Sequence, residues 1–256
     1  MTLHLEKTGK IAHLIIDRPD KRNAFSQEMW ELFPELLADA MGDDAVRVLS
    51  VHASQKDSAF CAGADIGEFA AGANNPEWRA RNQAAIRRVQ YELTRAPKPT
   101  IAIVDHDCIG GGCGIAIACD MRVAGFKARF GITPAKLGLV YSLHDTKLLV
   151  DLVGPAQAKR ILFTGQLLSA EEAHDIGLVT ILAEDPYAEA MELAETMASV
   201  SSHSQIMSKA IIRRILDGQA DDDAETAAQF ADAFEGEDFA RGAEAFLGKR
   251  KPEFKS

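Results

Sequence analysis

Two glycine-rich segments decide how this sequence is interpreted: residues 60–65, FCAGAD, and residues 110–114, GGGCG. Each segment follows an apolar run that is typical of a strand and leads toward a helical pattern. A chain that passes from strand to helix in this way leaves backbone N–H groups free to point at a ligand. Two such donors from distant parts of a chain can stabilise an oxyanion that develops during a reaction. The pair therefore predicts an oxyanion site.

Each segment has an ordinary structural explanation when it is considered alone. Residues 110–114 can form a tight strand-to-helix turn, because glycine allows close packing, and residues 62–65 can form a loop with a helix cap. Nucleotide-binding motifs are excluded. No Gly-Lys-Ser/Thr follows residues 110–114 as in a Walker A loop, and Ile115 stands where the dinucleotide fingerprint needs glycine.

The pattern on either side of these segments predicts an α/β fold. Strands alternate with helices up to about residue 183, and only helical periodicity follows. Ser26 is a predicted helix cap, Pro34 should kink or break the helix that follows it, and Gly154-Pro155 should begin another helix. We predict two regions: residues 1–184 as the core and residues 185–256 as a helical region. The predicted strands are residues 3–7, 11–17, 46–52, 100–104, 121–124, 128–131 and 178–182.

Composition limits the class of partner. A formal net charge of −10 argues against a nucleic-acid partner held through phosphates. No stretch approaches the roughly 20 apolar residues that cross a bilayer, so we expect no membrane partner. The first residues lack a secretory signal, and the four cysteines form neither a CxxC pair nor a zinc motif. We therefore expect a cytoplasmic protein with reduced cysteines and no metal site.

Several motifs, in order along essentially the whole chain, resemble the crotonase (enoyl-CoA hydratase/isomerase) superfamily. They are 16–25 IDRPDKRNAF, 60–66 FCAGADI, 97–99 PKP, 110–113 GGGC, 118–120 ACD, 173–179 AHDIGLV and 242–252 GAEAFLGKRKP. The resemblance implies a spiral of ββα units with a C-terminal helical trimerisation region. It also implies an acyl-CoA thioester substrate, coenzyme A only as part of that substrate, and a homotrimer or a dimer of trimers.

The same resemblance assigns candidate site residues. The oxyanion donors fall on the N–H groups of Ala64 and Gly111, where two preorganised donors would polarise a thioester carbonyl. Lys249 matches a basic tail residue that reaches CoA phosphates, although a solvated tail charge explains it equally well. The segments that match the CoA-binding loops contain Lys21, Arg22, Ala24, Ala62, Asp65 and Ile66.

The two glutamates of a standard hydratase are absent at the positions that the resemblance gives them. Gly114 and Pro134 occupy these positions, and Ser142 stands where other members carry a carboxylate. Glycine and proline cannot perform acid–base chemistry. Efficient hydration by the usual family mechanism is therefore not expected.

Residues 133–143, TPAKLGLVYSL, resemble the methylmalonyl-CoA decarboxylase branch, including its active-site tyrosine at Tyr141. Ala64 and Gly114 depart from that branch, which has histidine and glutamate there. Decarboxylation of a malonyl-type acyl-CoA is our first hypothesis, because departing CO₂ leaves an enolate without the need for a base. Isomerisation, weak hydration and a non-catalytic acyl-CoA-binding protein are the alternatives.

Tyr141 has a second explanation as a half-buried aromatic residue whose hydroxyl is hydrogen-bonded. His144 and Asp145 follow it closely in the sequence. They could provide a base and its partner, or a helix-start cap and an exposed imidazole.

Overall fold

A computed structural model describes residues 2–254 of the chain. The strands are β1 (Leu3–Thr8), β2 (Ile11–Ile16), β3 (Val48–Ala53), β4 (Thr100–Val104), β5 (Cys108–Ile109), β6 (Met121–Gly125), β7 (Arg129–Gly131), β8 (Leu168–Ser169) and β9 (Ile181–Ala183). The helices are α1 (Gln27–Gly42), α2 (Ile66–Gly72), α3 (Pro76–Thr94), α4 (Gly111–Ala118), α5 (Leu143–Thr164), α6 (Ala170–Asp175), α7 (Pro186–Ala198), α8 (Ser202–Leu216), α9 (Ala224–Glu235) and α10 (Glu237–Leu247).

The strands form two sheets. The larger has the order β1-β2-β3-β4-β6-β9, and all its neighbours are parallel except the β1–β2 hairpin, which the sequence predicted. The smaller has the order β5-β7-β8. A single parallel bridge, Cys61 to Cys108, joins the chain before α2 to the chain before α4. The two glycine-rich segments therefore lie side by side.

The central strands of the larger sheet are apolar on both faces, as buried parallel strands require. Leu49 and Val51 of β3 belong to the main core with α1, α3 and α4, whereas Val48 packs toward α7 in a second cluster. Polar residues also enter this second face, where the His13 Nδ1 atom lies 2.8 Å from Ser50 Oγ. The sheet thus holds the site elements on one face and the first C-terminal helix on the other.

Local sequence signals account for most helix starts. Ser26, Asn75 and Ser169 accept backbone N–H bonds as the caps of α1, α3 and α6. Of the two predicted effects of Pro34, a kink or a break, the break does not occur, because α1 continues to Gly42 with its apolar face buried. Tertiary packing of that face outweighs the one backbone hydrogen bond that proline removes. Gly154 does interrupt α5, with φ of 72°.

Other differences from the predicted pattern concern short or irregular segments. The last strand begins at Ile181 rather than at residue 178, and the two-residue strands β5 and β8 were not predicted. After β9 the described chain is helical, in α7 to α10. None of the helices among the described residues is long and apolar enough to span a bilayer.

Candidate active site

A cavity of about 570 Å³ opens where the two glycine-rich segments meet α3 and the chain before α5. One wall, here called the donor wall, consists of residues 62–64 and Gly110-Gly111. A second part of the lining, here called the polar wall, consists of Gln90, Tyr141 and Asp145. The remaining lining is mainly apolar and includes Ile66, Phe69, Ile86, Leu137, Leu139 and Val140. An apolar cavity with a few convergent polar groups is the usual form of a small-molecule site.

The two predicted backbone donors converge in the donor wall. A Cβ atom added to Gly111 would lie 3.8 Å from the Ala64 nitrogen, and one added to Gly63 would lie 3.6 Å from the Gly111 nitrogen. Gly111 is the first residue of α4, so its N–H has no intrahelical acceptor. Within residues 2–254 the Ala64 N–H has no acceptor either, because its bridge to Phe25 uses the Gly63 carbonyl and the Asp65 N–H. Both donors are therefore available to one oxygen atom.

Close packing explains why glycine stands at these positions. A Cβ at Gly111 would lie 2.9 Å from Cζ2 of Trp30, a fully buried side chain of α1. A Cβ at Gly112 would lie 2.6 Å from Cβ of Cys61, in the segment that carries the other donor. Gly63 has φ of 104°, which only glycine adopts without strain. The glycines thus bring the donors together and fix their directions.

The predicted CoA-binding segments, residues 21–24 and 62–66, are held against each other by main-chain bonds. The Ala62 N–H donates to the Arg22 carbonyl at 3.1 Å, and the Asp65 N–H donates to the Phe25 carbonyl at 2.8 Å. Asp65 also caps α2 and lies 2.8 Å from Arg18. Ala24 lies beside this ion pair, because the Arg18 guanidinium donates to its carbonyl at 2.9 Å. The two segments therefore form one unit at the edge of the cavity.

The three basic residues predicted to bind CoA differ in their ion pairs and in their place in the fold. Lys21 is exposed, and the Arg22 guanidinium pairs with Asp107, which also accepts from Arg129 at 2.7 Å. Lys249 follows α10 on an exposed turn and does not line the cavity within this chain. Of the predicted site residues, the cavity brings together Ala62, Ala64, Ile66, Gly111 and Tyr141.

The space beside Gly114 is occupied by side chains of the polar wall. A Cβ at this position would overlap the Gln90 carboxamide of α3 and would lie 3.1 Å from Tyr141 Oη. Pro134 and Ser142 also line the cavity, and Ser142 caps α5 by accepting from the Asp145 N–H at 3.1 Å. The hydroxyl of Tyr141 is buried and has no hydrogen-bond partner in the described chain. Burial, followed by the charge of Asp145, holds the pKa of this phenol well above its usual range.

Asp145 is the carboxyl group of this cavity. It is only 4% exposed, and the Gln90 carboxamide lies against both its oxygens. The amide orientation that satisfies both groups places the nitrogen toward Asp145, so that it donates to the carboxyl oxygens. Nδ1 of His144 lies 3.2 Å from Oδ1 of Asp145, and the imidazole packs against the ring of Tyr91. Burial raises the pKa of Asp145, and the bonds to Ser142 and His144 oppose that shift. The cap of α5 is therefore Ser142 and not Asp145, and the His144 imidazole is half-buried rather than exposed.

Only part of the polar wall has a signal in the sequence. Gln90 was not singled out, although residues 82, 86 and 90 of α3 follow a spacing of four and all three line the cavity. Asp145 was singled out with His144, but its burial depends on α3, about 55 positions earlier in the chain.

An α/β chain with two converging backbone donors at an apolar cavity has the groups that are able to polarise a bound carbonyl group. Comparison with known proteins identifies the family. Residues 6–256 match the family described as enoyl-CoA hydratase/isomerase. The chain therefore belongs to this family, whose members are acyl-CoA enzymes.

Individual relatives match along almost their full length. The chain is 35% identical to a short-chain-enoyl-CoA hydratase of Clostridium acetobutylicum (97% of this chain, 95% of the relative). It is 34% identical to a crotonyl-CoA hydratase of Syntrophomonas wolfei (98% and 96%). A crystal structure of an enoyl-CoA hydratase/isomerase family protein from Hyphomonas neptunium superposes with a TM-score of 0.96 at 36% identity (100% and 98%). The predicted crotonase-type α/β fold with C-terminal helices is confirmed.

Proposed function

We propose that this chain binds an acyl-CoA thioester and converts it through a thioester enolate. The thioester oxygen would lie between the N–H groups of Ala64 and Gly111. The observation that carries the proposal is the convergence of these two unpaired donors at the end of an apolar cavity. Removing one such donor in other enzymes costs about 2.7–4 kcal/mol of transition-state stabilisation, so the pair would account for much of the catalysis.

Decarboxylation of a malonyl-type acyl-CoA is the reaction that we place first. The C–C bond to the carboxylate breaks, CO₂ leaves without the electron pair, and the pair forms the enolate that the donor wall holds. No carboxylate stands at positions 114 and 134 to position a water molecule. The unpartnered phenol of Tyr141 supports a role in returning a proton to the enolate or in binding the substrate carboxylate.

Isomerisation or hydration of an enoyl-CoA is the second candidate, and two observations favour it. The relatives named above are hydratases. The cavity also contains a carboxyl group, Asp145, although not at a position where the family resemblance places one. A raised carboxyl pKa suits a group that must both take up and release a proton.

Mass spectrometry of thioester turnover separates these reactions. The purified protein is incubated with malonyl-, methylmalonyl-, 2-enoyl- and 3-enoyl-CoA, and the products are identified by mass and by chromatographic standards. Loss of CO₂ supports decarboxylation, a shifted double bond supports isomerisation, and addition of water supports hydration. Binding without turnover of any thioester would leave the non-catalytic acyl-CoA-binding protein as the explanation.

A homotrimer or a dimer of trimers is also proposed. The C-terminal helices expose large apolar side chains that a partner surface would cover, among them Phe230 at 71%, Phe246 at 83% and Leu247 at 82%. Lys249 lies beside Leu247, so a neighbouring subunit could bring it toward a CoA phosphate. Light scattering at micromolar concentration should give a mass of three or six chains, and a stable monomer would contradict the proposal.

A further inference from the structure

The polar wall contains an ionisable group in a position that the family resemblance does not assign. Three elements meet there: α3 brings Gln90, the chain before α5 brings Tyr141, and the first turn of α5 brings Asp145. The position one turn along α4 from Gly111 is Gly114, and the Gln90 carboxamide and Tyr141 Oη fill the space beside it. Side chains from outside α4 therefore occupy the place of the absent carboxylate.

The contacts of Asp145 fix the position of its carboxyl group but include, among the described residues, no permanent cation that would balance its negative charge. Gln90 donates to its oxygens, His144 Nδ1 lies 3.2 Å from Oδ1, and no lysine or arginine pairs with it in the described part of the chain. A carboxylate fixed by an arginine or lysine is a poor base, because the cation stabilises its ionised form. Asp145 instead lies in an apolar cavity beside an unpartnered phenol. This arrangement favours proton exchange with a bound molecule.

We propose that Asp145 is the residue that transfers the proton between the acyl group and the enzyme, and that Gln90 is its positioning residue. The inference rests on the enolate that we propose above. In one direction the Asp145 carboxylate takes the proton from the carbon next to the thioester. The C–H electron pair forms the enolate, whose oxygen accepts bonds from Ala64 and Gly111. In the other direction the Asp145 carboxyl returns the proton to carbon, so no further reactant is needed.

Exchange of α-protons in heavy water tests this step directly. Butyryl-CoA, a saturated thioester that cannot be hydrated or decarboxylated, is incubated with each protein in D₂O, and deuterium incorporation is followed by mass spectrometry. We expect the wild type to exchange and Asp145→Asn to exchange 10²–10⁴-fold more slowly, the range for a general acid–base residue. Gln90→Ala should reduce the exchange rate less, because the carboxyl remains.

Controls separate proton transfer from folding and from binding. Asp151→Asn is the matched control, since Asp151 lies in the same helix, pairs with Lys147 at 2.6 Å and does not line this cavity. Thermal melting and the dissociation constant for butyryl-CoA are measured for every variant. Asp145→Glu should recover part of the exchange, which a purely structural role would not predict.

The possible results are distinct. Unchanged exchange in Asp145→Asn, or a larger loss in His144→Ala or Tyr141→Phe, would overturn the assignment to Asp145. Binding of butyryl-CoA without exchange in the wild type would overturn it as well. Failure of the wild type to bind any CoA thioester would instead contradict the proposed function itself, and this result comes from the binding measurement.

Discussion

The donor wall and the polar wall of the cavity differ in the kind of group that each presents: main-chain N–H groups in one and side chains in the other. The donor wall uses main-chain N–H groups at Ala64 and Gly111, and at position 64 only proline would remove the N–H itself. The polar wall uses side chains from α3, from α5 and from the chain just before α5, and each can be lost by one substitution. The donor wall therefore tolerates most changes of side chain at position 64, whereas the polar wall depends on the identity of each side chain.

The largest effect is expected from the donor wall. Gly111→Ala keeps the N–H but places a Cβ about 2.9 Å from Trp30 Cζ2, so the start of α4 must shift. We expect turnover of the accepted thioester to fall about 10²–10³-fold, as when an oxyanion donor is lost. The measurement is steady-state kinetics on that substrate. Gly42→Ala is the control, because nothing lies within 4 Å of its added Cβ, and equal activity of the two variants would contradict this account.

A smaller loss is expected from Tyr141→Phe in the polar wall. The hydroxyl is buried without a partner, so its removal should leave the melting temperature unchanged. If the phenol binds or protonates the substrate, turnover should fall by about 10²-fold. Tyr187→Phe, which removes the hydroxyl of a ring that packs against His52 on the other face of the sheet, is the control. Equal turnover of both variants would make Tyr141 a packing residue.

Gly114→Glu tests whether the polar wall can return to a glutamate-based arrangement. Its Cβ would overlap the Gln90 carboxamide, so the variant should lose about 1–3 kcal/mol of unfolding free energy and gain no hydratase activity. The double variant Gln90→Ala with Gly114→Glu should recover part of that stability. Urea denaturation and a crotonyl-CoA hydration assay measure both effects. If Gly114→Glu alone is stable and hydrates crotonyl-CoA rapidly, the space beside position 114 accepts a glutamate and this prediction is contradicted.

The smallest expected effect is a pH-dependent stability cost of the polar wall. Burial raises the folded-state pKa of Asp145 above its ordinary value of 3.8. The contribution of Asp145 to the free energy of unfolding is therefore most favourable below pH 3.8 and declines as pH rises through the folded-state pKa. Asp145→Asn should gain thermal stability relative to the wild type from pH 5 to pH 8. Melting curves across this range measure the difference in melting temperature between Asp145→Asn and the wild type. A difference that becomes smaller as pH rises would contradict the prediction.

The parts of this molecule that depend on local chain signals could be predicted from the sequence. The hairpin, the helix caps at Ser26, Asn75 and Ser169, and the position of both glycine-rich segments follow from neighbouring residues. Pro34 could not be interpreted locally, because burial of the helix face decides its effect.

In the candidate site, too, one part depends on local sequence and the other on tertiary packing. The donors of the donor wall are encoded within two short glycine-rich segments, so their positions can be read from sequence. The polar wall forms only when α3 packs near the start of α5. No sequence signal within five positions of Asp145 indicates its contact with Gln90. The assignment of Lys249 stays a prediction, since it depends on an assembly of chains.

The contact between Trp30 and Gly111 also has an optical consequence. The chain contains two tryptophans, and Trp30 lines the cavity, whereas Trp78 packs on Phe69 and beside Gly72 at α2. In a Trp78→Phe protein, all indole emission would come from the ring that touches the donor wall. Its fluorescence would then report each arrival and departure of a thioester in real time, without a label or a coupled assay.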